Sequence, residues 1–389
     1  MQETPIEFSI FLIFTGAAVI ATLALYARQA MIVAYILLGL IMGPFGLAYI
    51  NDSDLISDIS NIGIIFLLFL LGLDLLPRQL WDMLREAVVV TLVSSLAFWL
   101  IGFIVGYVFG YEFLESLLIG AAMMFSSTII GLKLLPTTTL HHKHTGQIII
   151  SILLIQDLIA IIILLLLQGY GKGGNLFVSI ASQIMYLPVL ALVCYLFERN
   201  VINKLFMRFD QIHEYVFLLA IGWCLGVAEL AHFIGLSHEI GAFIAGVTLA
   251  SSPIALFIAE RLKPLRDFFL IIFFFSLGAG FNMSLFVDIF IPATILAVLS
   301  LTLKPLILGW LLQWEGEKRS VSFESGFRLG QISEFSLLIA VLAVESGLIL
   351  AKTSYLIQLA TLITFVVSSY IIVLKYPTPI SVNSRLRRD

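Results

Sequence analysis

Charged residues are scarce in this chain of 389 residues: 12% are Asp, Glu, Lys or Arg, while 60% are hydrophobic. A soluble domain carries roughly 25% charged residues, so the composition excludes an ordinary soluble protein. Polar and apolar residues do not alternate with a period of two, which excludes an outer-membrane barrel. Apolar runs of about 20 residues recur instead, and each is long enough to cross a bilayer. The sequence therefore predicts an all-α polytopic membrane protein.

Cysteines are also scarce, and basic residues are lacking at the N-terminus. The two cysteines, Cys194 and Cys224, lie inside apolar runs and lack the spacing of a disulfide framework or a thiolate metal site. The first residues, MQETPIEF, contain no Lys or Arg, so a signal-peptide n-region is absent. The first apolar run is therefore expected to be a span of the mature protein.

We predict about thirteen spans joined by short connections. Together they form one transmembrane domain over residues 1–376, followed by a basic cytoplasmic tail over residues 377–389. The spans lie near residues 6–26, 31–50, 59–77, 87–110, 115–136, 147–168, 178–198, 212–232, 236–251, 266–286, 288–312, 321–349 and 354–375.

The basic residues predict the orientation of these spans. Of the 21 Lys and Arg, all but four lie in one alternating set of connections. Lys172 and Lys352 lie in the opposite set, and Lys304 and Arg328 lie inside spans. Because basic residues are retained on the cytoplasmic side, we expect a multi-pass plasma (inner) membrane protein with its N-terminus outside and its C-terminus inside.

A weak internal repeat is visible at a shift of about 206 residues. Residues 65–73, IFLLFLLGL, resemble residues 271–279, IIFFFSLGA, and the same shift places Ser127 on Ser333. The shift spans seven crossings, an odd number, so the two halves are predicted to run in opposite directions, as in many secondary transporters. A chance likeness between two helices rich in Phe and Leu is the alternative.

Polar residues are concentrated in the fifth and sixth spans. The fifth contains Ser126, Ser127 and Thr128, and the sixth contains Gln156 and Asp157. An aspartate at mid-membrane costs about 2.5–3.5 kcal/mol, so its presence indicates a function. In a partly dehydrated site a carboxylate holds a proton or a small cation, but not both well. The hydroxyl and amide oxygens would then replace part of the ion's water shell.

The eleventh and twelfth spans carry the other intramembrane charges. Lys304 lies in the eleventh, and the twelfth contains GFRLGQISEFS (326–336). Arg328, Gln331 and Glu334 are three residues apart and would share one helix face. The glycines of this stretch weaken the helix, and Gly-interrupted spans at matching places in two halves indicate a transporter binding site.

Structural roles remain open for most of these residues. The three hydroxyl residues of the fifth span also suit close helix packing. Gln156 is either an ion ligand or a residue that orients its neighbours. Lys304 is either a charge partner in the core or a snorkelling side chain. Glu334 is expected to form an ion pair with Arg328, with a second proton site as the alternative.

Four stretches resemble the signature stretches of the monovalent cation:proton antiporter-2 family. The adjacent Gln156 and Asp157 resemble in particular its Kef-type potassium efflux branch. The stretches are IIFLLFLLGLDLLPRQLW (64–81), SSTIIG (126–131), LIQDLIAI (154–161) and GQISEFSLLI (330–339).

This resemblance implies the sodium/proton antiporter fold: thirteen spans, two inverted six-helix repeats, and crossed, broken fifth and twelfth helices. It also implies interleaved dimerisation and moving core subdomains, and hence a homodimer. Asp157 would carry the ion and the proton as the site of an alkali cation, with Gln156 and the SST stretch around it. Lys304 would face this site.

The chain departs from the family pattern in two ways. Kef-type systems usually continue into a nucleotide-binding regulatory domain, whereas this chain stops at SRLRRD, so ligand gating is not expected unless the chain is a piece of a longer protein. Related sodium antiporters carry two adjacent aspartates where this chain has Gln156 and Asp157. The second departure leaves the preference for sodium and the stoichiometry open.

The leading hypothesis is a secondary antiporter, not an enzyme, that exchanges K⁺ for H⁺. A Na⁺/H⁺ antiporter of the same fold is the first alternative, and a passive cation channel is the second. An intramembrane aspartyl protease is disfavoured because no second mid-span aspartate is available. Apart from the transported ions no cofactor is expected. Membrane lipid and a second copy of the chain are the expected partners, and nucleic acid is not.

Overall fold

The computed structural model describes residues 6–50, 53–74, 77–133, 144–170 and 176–378. The predicted basic tail lies outside the described residues from residue 379 onward. The described residues are almost entirely helical, as expected for apolar segments whose backbone groups must be hydrogen-bonded internally when water is absent.

The helices follow one another with short connections. In chain order they are α1 (Ile6–Tyr26), α2 (Met31–Met42), α3 (Ser53–Asp74), α4 (Pro77–Val108), α5 (Phe113–Met124), α6 (Thr128–Lys133), α7 (His144–Tyr170), α8 (Leu176–Phe197), a π-helical turn (Glu198–Ile202), α9 (Asn203–Phe209), α10 (His213–Phe233), α11 (His238–Leu249), α12 (Ala255–Ala279), α13 (Phe286–Trp314), α14 (Arg319–Arg328), α15 (Glu334–Glu345) and α16 (Ala351–Lys375).

The predicted spans are confirmed, and two of them are broken. The fifth span is α5 and α6, separated by residues 125–127, and the twelfth is α14 and α15, separated by residues 329–333. Among the described residues, seven helices are long and apolar enough to cross a membrane, and shorter apolar helices accompany them. The seventh span extends further than predicted: α8, the π-helical turn and α9 form one continuous linking helix from residue 176 to residue 209.

The internal repeat extends to nearly every helix. Helices α1 and α10 begin at Ile6 and His213, a shift of 207 residues, and α5 and α14 begin at Phe113 and Arg319, a shift of 206. The second halves of the broken spans begin at Thr128 and Glu334, again 206 apart. The linking helix lies between the two sets. The likeness noted in the sequence therefore reflects two structural repeats of six spans, not chance.

The chain forms two compact units, each assembled from separate stretches. The first unit comprises Met1–Ile20, Ala34–Leu80 and Gln168–Phe281, and the second comprises Ala21–Val33, Trp81–Leu167 and Asn282–Asp389.

Glycine allows close backbone contact within the first unit. A Cβ atom added to Gly246 of α11 would lie 2.0 Å from the carbonyl oxygen of Phe69 on α3. At the matching place of the repeat, a Cβ atom on Gly39 of α2 would lie 2.0 Å from the carbonyl oxygen of Phe275 on α12. Small residues let membrane helices approach this closely, and no larger residue fits at these two positions.

The second unit contains both broken spans. An apolar cluster holds α7 against α13 and the break in the twelfth span; its members include Ile149, Ile152, Leu153, Ile155, Leu308, Leu311, Leu312 and Leu329. Gly120 of α5 faces the carbonyl oxygen of Trp99, and Gly326 of α14 faces that of Pro305; an added Cβ would lie 2.6 and 2.7 Å away. These equivalent contacts seat each broken span on the long helix that precedes it.

We expect Gly246→Ala to lower the stability of the protein by about 1–3 kcal/mol, because the new methyl group meets a backbone carbonyl that cannot turn aside. Gly222→Ala on α10 is the matched control, since an added Cβ there meets nothing within 4 Å. Thermal unfolding in detergent measures both variants. Equal melting temperatures for the two variants would contradict the close contact.

Candidate functional site

The two helix breaks lie against each other in the second unit. The hydroxyl of Ser126 donates to the carbonyl oxygen of Leu329 at 2.8 Å, and the hydroxyl of Ser336 donates to that of Ala122 at 2.6 Å. Each hydroxyl therefore satisfies a carbonyl of the other broken span. Backbone acceptors without helical partners are costly in a medium without water, so these reciprocal bonds hold the breaks together.

Lys304 joins the two breaks at equivalent positions. It is fully buried, and its Nζ donates to the carbonyl oxygens of Phe125 at 2.7 Å and Gln331 at 3.2 Å. These two acceptors are 206 residues apart, the shift of the repeat. The residue that matches Lys304 in the other repeat is Phe98, and the ammonium lies 5.2 Å from its ring centroid. A cation over an aromatic face gains electrostatic attraction.

Lys304 thus contacts both breaks from the eleventh span. Its neighbours differ from the prediction, because they are carbonyl dipoles and an aromatic ring. No carboxylate of the described residues forms a salt bridge with it. Lys304 therefore acts as a clamp on both breaks.

Gln156 holds the break of the fifth span from α7. Its Oε1 accepts from the backbone N–H of Ser126 at 2.9 Å, and its Nε2 donates to the carbonyl oxygen of Met124 at 3.2 Å. The side chain is fully buried, and both ends of the amide are used within the protein. Of the two roles considered for Gln156, the geometry favours orientation of its neighbours.

The other hydroxyl residues of the fifth span also have protein partners. Ser127 accepts from the N–H of Ile130 at 3.2 Å, the pattern of a helix N-cap, and Ser333 caps α15 in the same manner. Thr128 donates to the carboxylate of Glu334 through a short hydrogen bond. Thr128 and Glu334 begin equivalent helices, so this contact joins matching positions of the two repeats.

Asp157 follows Gln156 on α7 and lies beside this junction. Its side chain is only 2% exposed, and no described residue donates a hydrogen bond to its carboxylate. Glu334 is close enough to interact with it electrostatically. Asp157 therefore differs from Gln156, Lys304 and Gln331, whose hydrogen-bonding groups bond to the two breaks.

The predicted ion pair of Arg328 with Glu334 is wrong. Arg328 pairs with Glu324 at 3.0 Å, one turn earlier on α14, and also donates to the carbonyl oxygen of Pro377 at 2.8 Å. The prediction assumed an unbroken helix, but α14 ends at Arg328 and α15 begins at Glu334. Tyr376 lies beside this cluster, and burial raises its pKa to about 12, so its phenol stays neutral.

Sequence reasoning named Gln331 only for a shared helix face, and it missed two hydroxyl residues that complete the junction. Gln331 donates to the carbonyl oxygens of Ser127 and Arg328 at 3.3 and 2.9 Å. Its Oε1 accepts from Ser368, so its amide is as fully engaged as that of Gln156. Two further hydroxyl residues, Ser300 and Thr364, bond the backbone at Gly330 and Ile332. Both could have been found in the sequence as hydroxyl residues inside otherwise apolar spans.

The arrangement suits a dehydrated monovalent cation or a proton more than a transition metal. Its buried carboxylate oxygens have hydroxyl and carbonyl oxygens close by, and hard cations prefer such oxygen ligands. Within the described part of the chain, no three His, Cys, Asp or Glu side chains are gathered as a metal site would require.

Comparison with known proteins gives three findings. The model of the sodium/hydrogen exchanger transmembrane family matches residues 10–374. K(+) efflux antiporter 5 of Arabidopsis thaliana is 28% identical over 373 residues, which is 92% of this chain and 64% of that protein. The iron transporter MagA of Paramagnetospirillum magneticum is 24% identical over 365 residues, which is 92% of this chain and 84% of that protein.

A solved structure has the same fold. It is the sodium proton antiporter MjNhaP1 from Methanocaldococcus jannaschii, with a TM-score of 0.64, 17% identity, and coverage of 95% of this chain and 96% of that one. The chain spans only 57% to 64% of the length of the three potassium efflux relatives that it matches.

We expect Lys304→Met to lower stability by about 1–3 kcal/mol for each break carbonyl left without a donor. Lys352→Met is the matched control, because the Lys352–Asp288 pair is exposed and long, at 3.5 Å. Exposed pairs contribute about 0–1 kcal/mol. Thermal unfolding in detergent compares the two. A Lys304 variant as stable as the Lys352 variant would show that the Lys304 hydrogen bonds do not stabilise the protein.

Proposed function

Because the chain belongs to the sodium/hydrogen exchanger transmembrane family, we propose that it is a secondary antiporter that exchanges a monovalent cation, K⁺, for protons. The observation that supports this most is the state of Asp157. It is a buried carboxylate without a hydrogen-bond donor among the described residues, and it follows Gln156, which holds the break of the fifth span.

A carboxylate in this position supports exchange through competition. A buried negative charge is expensive unless it is neutralised, and either a proton or a small cation can neutralise Asp157. Occupancy by one excludes the other. If the loaded site opens to each side of the membrane in turn, and the empty ionised site does not, cation flow in one direction is tied to proton flow in the other.

The structure of the breaks supports a mobile site. Their carbonyls are bonded to side chains, not to other helical backbone, and side-chain bonds can change partner without unfolding a helix. Lys304 and Gln331 contact both breaks, so a movement of one broken span is transmitted to the other. We assign the carrier role to the second unit, which contains all of these groups.

K⁺ is the proposed cation for two reasons. Three relatives carry the printed name K(+) efflux antiporter, and Gln156 replaces the second carboxylate that sodium antiporters would supply. With one charge fewer, the site favours the cation that loses its water shell more easily. Na⁺ is the first alternative cation, because the solved structure of the same fold, MjNhaP1, is described as a sodium proton antiporter. Iron is a further alternative, because the relative MagA is named an iron transporter. A channel is disfavoured because inverted repeats around a single buried titratable site are typical of carriers.

Further parts of the proposal follow from family and charge pattern. We place the protein in the plasma (inner) membrane with its N-terminus outside and its C-terminus in the cytoplasm. A homodimer is the proposed assembly, with the first unit as its dimerisation subdomain. The transported ions are the proposed ligands of the Asp157 site.

We expect Asp157→Asn to abolish cation-driven proton movement in proteoliposomes, because a neutral amide can carry neither ion. Asp288→Asn is the control, since that side chain is 59% exposed. Internal pH is followed with a dye while K⁺, Na⁺ or Fe²⁺ gradients are applied in turn. Exchange that persists in the Asp157 variant refutes the assignment, and a response to Na⁺ or Fe²⁺ but not to K⁺ refutes the proposed cation.

We also expect acid pH to weaken the apparent affinity for the cation. Protons and cations compete for one carboxylate, so the half-saturating K⁺ concentration should rise by up to about tenfold for each unit of falling pH. Initial exchange rates at several pH values measure this. A half-saturating concentration that does not change with pH would indicate separate sites for the two ions.

A further inference from the structure

The linking helix carries one carboxylate in an otherwise apolar buried stripe. Leu190, Cys194, Ile202 and Phe206 are 0–5% exposed and four residues apart, so they share one face of the helix. Glu198 occupies the middle position of this stripe and is 3% exposed. An apolar side chain is expected there, so the carboxylate requires an explanation.

Glu198 has no partner among the described residues. Its Oε1 atom is buried without a hydrogen bond, and Glu198 forms no salt bridge with any described residue. The basic residues of the same helix are all exposed and therefore lie off the buried stripe; they are Arg199, Lys204 and Arg208. An ionised carboxylate without a partner is among the most expensive groups to bury, whereas the neutral acid costs far less.

The helix is widened at this residue. Glu198 begins the π-helical turn, and its carbonyl oxygen accepts from the N–H of Asn203, five residues later. The Asn203 side chain accepts from the hydroxyl of Ser252, in the turn after α11, at 3.1 Å. Such turns often occur at functional positions in helices. Here the π-helical turn lies next to Asn203, the residue through which the linking helix contacts the loop after α11.

No basic group of the described residues forms an ion pair with Glu198. Its neighbour on the stripe is the Cys194 thiol, one turn earlier. The helices packed against the linking helix are α10 and α11. The buried thiol of Cys224 lies in the middle of α10 and is neutral in its protonated form. The other titratable groups of these helices lie in their first turns or near the end of α10; they are His213, Glu214, Tyr215, Glu229, His232, His238 and Glu239.

We propose that Glu198 is a second proton-binding site, separate from Asp157, and that the linking helix packs against α11 in this form only while the Glu198 carboxyl is protonated. Loss of the proton places an uncompensated charge in the apolar stripe. The π-helical turn then relaxes until the carboxylate reaches water, and the Asn203–Ser252 contact is weakened. Because this helix joins the two repeats, proton release at Glu198 would alter exchange without affecting the transport carboxylate itself.

The test uses the full-length protein carrying Asp157→Asn, so that its result does not depend on transport. The folded state keeps the Glu198 proton, whereas the unfolded chain releases it near its ordinary value of about 4.3. Above that value the unfolded state binds fewer protons, so stability falls as pH rises until the folded state also releases the proton. Melting temperatures are measured in detergent from acid to alkaline pH, with and without Glu198→Gln.

We expect Glu198→Gln to match its parent at acid pH and to melt at a higher temperature at alkaline pH. Glu198→Met, which suits the apolar stripe, should behave likewise, and Glu260→Gln on the exposed face of α12 should leave the profile unchanged. Parallel profiles for the parent and both Glu198 variants would overturn the proposal. So would variants that are less stable than the parent at alkaline pH, because ionised Glu198 would then be stabilising.

A transport measurement extends the test and rests on the proposed function. With Asp157 intact, Glu198→Gln should shift the pH at which exchange is half-maximal while its maximal rate is retained. If the pH of half-maximal exchange does not change, Glu198 does not regulate exchange. Absence of exchange in the unmodified protein would refute the proposed function alone, since the melting profiles report Glu198 independently.

Discussion

The structure depends on one constraint: two helices are interrupted where no water can bond the freed backbone groups. Interruption leaves carbonyl and amide groups that must find partners inside the protein. Lys304, Gln156, Gln331 and a set of serine and threonine hydroxyls supply those partners. The buried polar residues that contact the breaks are thus accounted for by the need for these partners. Asp157 stands apart because it serves neither break.

The repeat makes the junction symmetric in its backbone and asymmetric in its side chains. Phe125 and Gln331 present equivalent carbonyls, and Ser127 and Ser333 cap equivalent helices. One amine serves both carbonyls, and the matching position in the other repeat is an aromatic ring. A single lysine is sufficient because its ammonium has three donors and lies between the breaks. A second lysine at the same place would add a buried charge without adding a needed donor.

The spans and the breaks could be predicted from sequence because each leaves a local signal, and Asp157 could be singled out as a candidate site residue for the same reason. Apolar runs, interrupting glycines and an intramembrane aspartate are visible in short stretches. The partners of each polar group could not be predicted, because they depend on contacts between distant spans. Arg328 shows the difference. Its spacing from Glu334 predicted that the two side chains share one helix face, but the break separates them onto two helices. Glu198 was missed because it fell at the predicted end of the seventh span, whereas the helix continues to Phe209.

The glycine contacts of the first unit have a mechanical consequence. At Gly246 and Gly39 the backbone of one helix touches the backbone of the next, and neither surface has side chains that can rotate aside. Such a contact resists sliding, because any shift along the helix brings a larger residue into the gap. The helices of the second unit are joined at the breaks by side-chain hydrogen bonds instead. The molecule thus combines helices held by direct backbone contact in one unit with helices held by side-chain hydrogen bonds in the other.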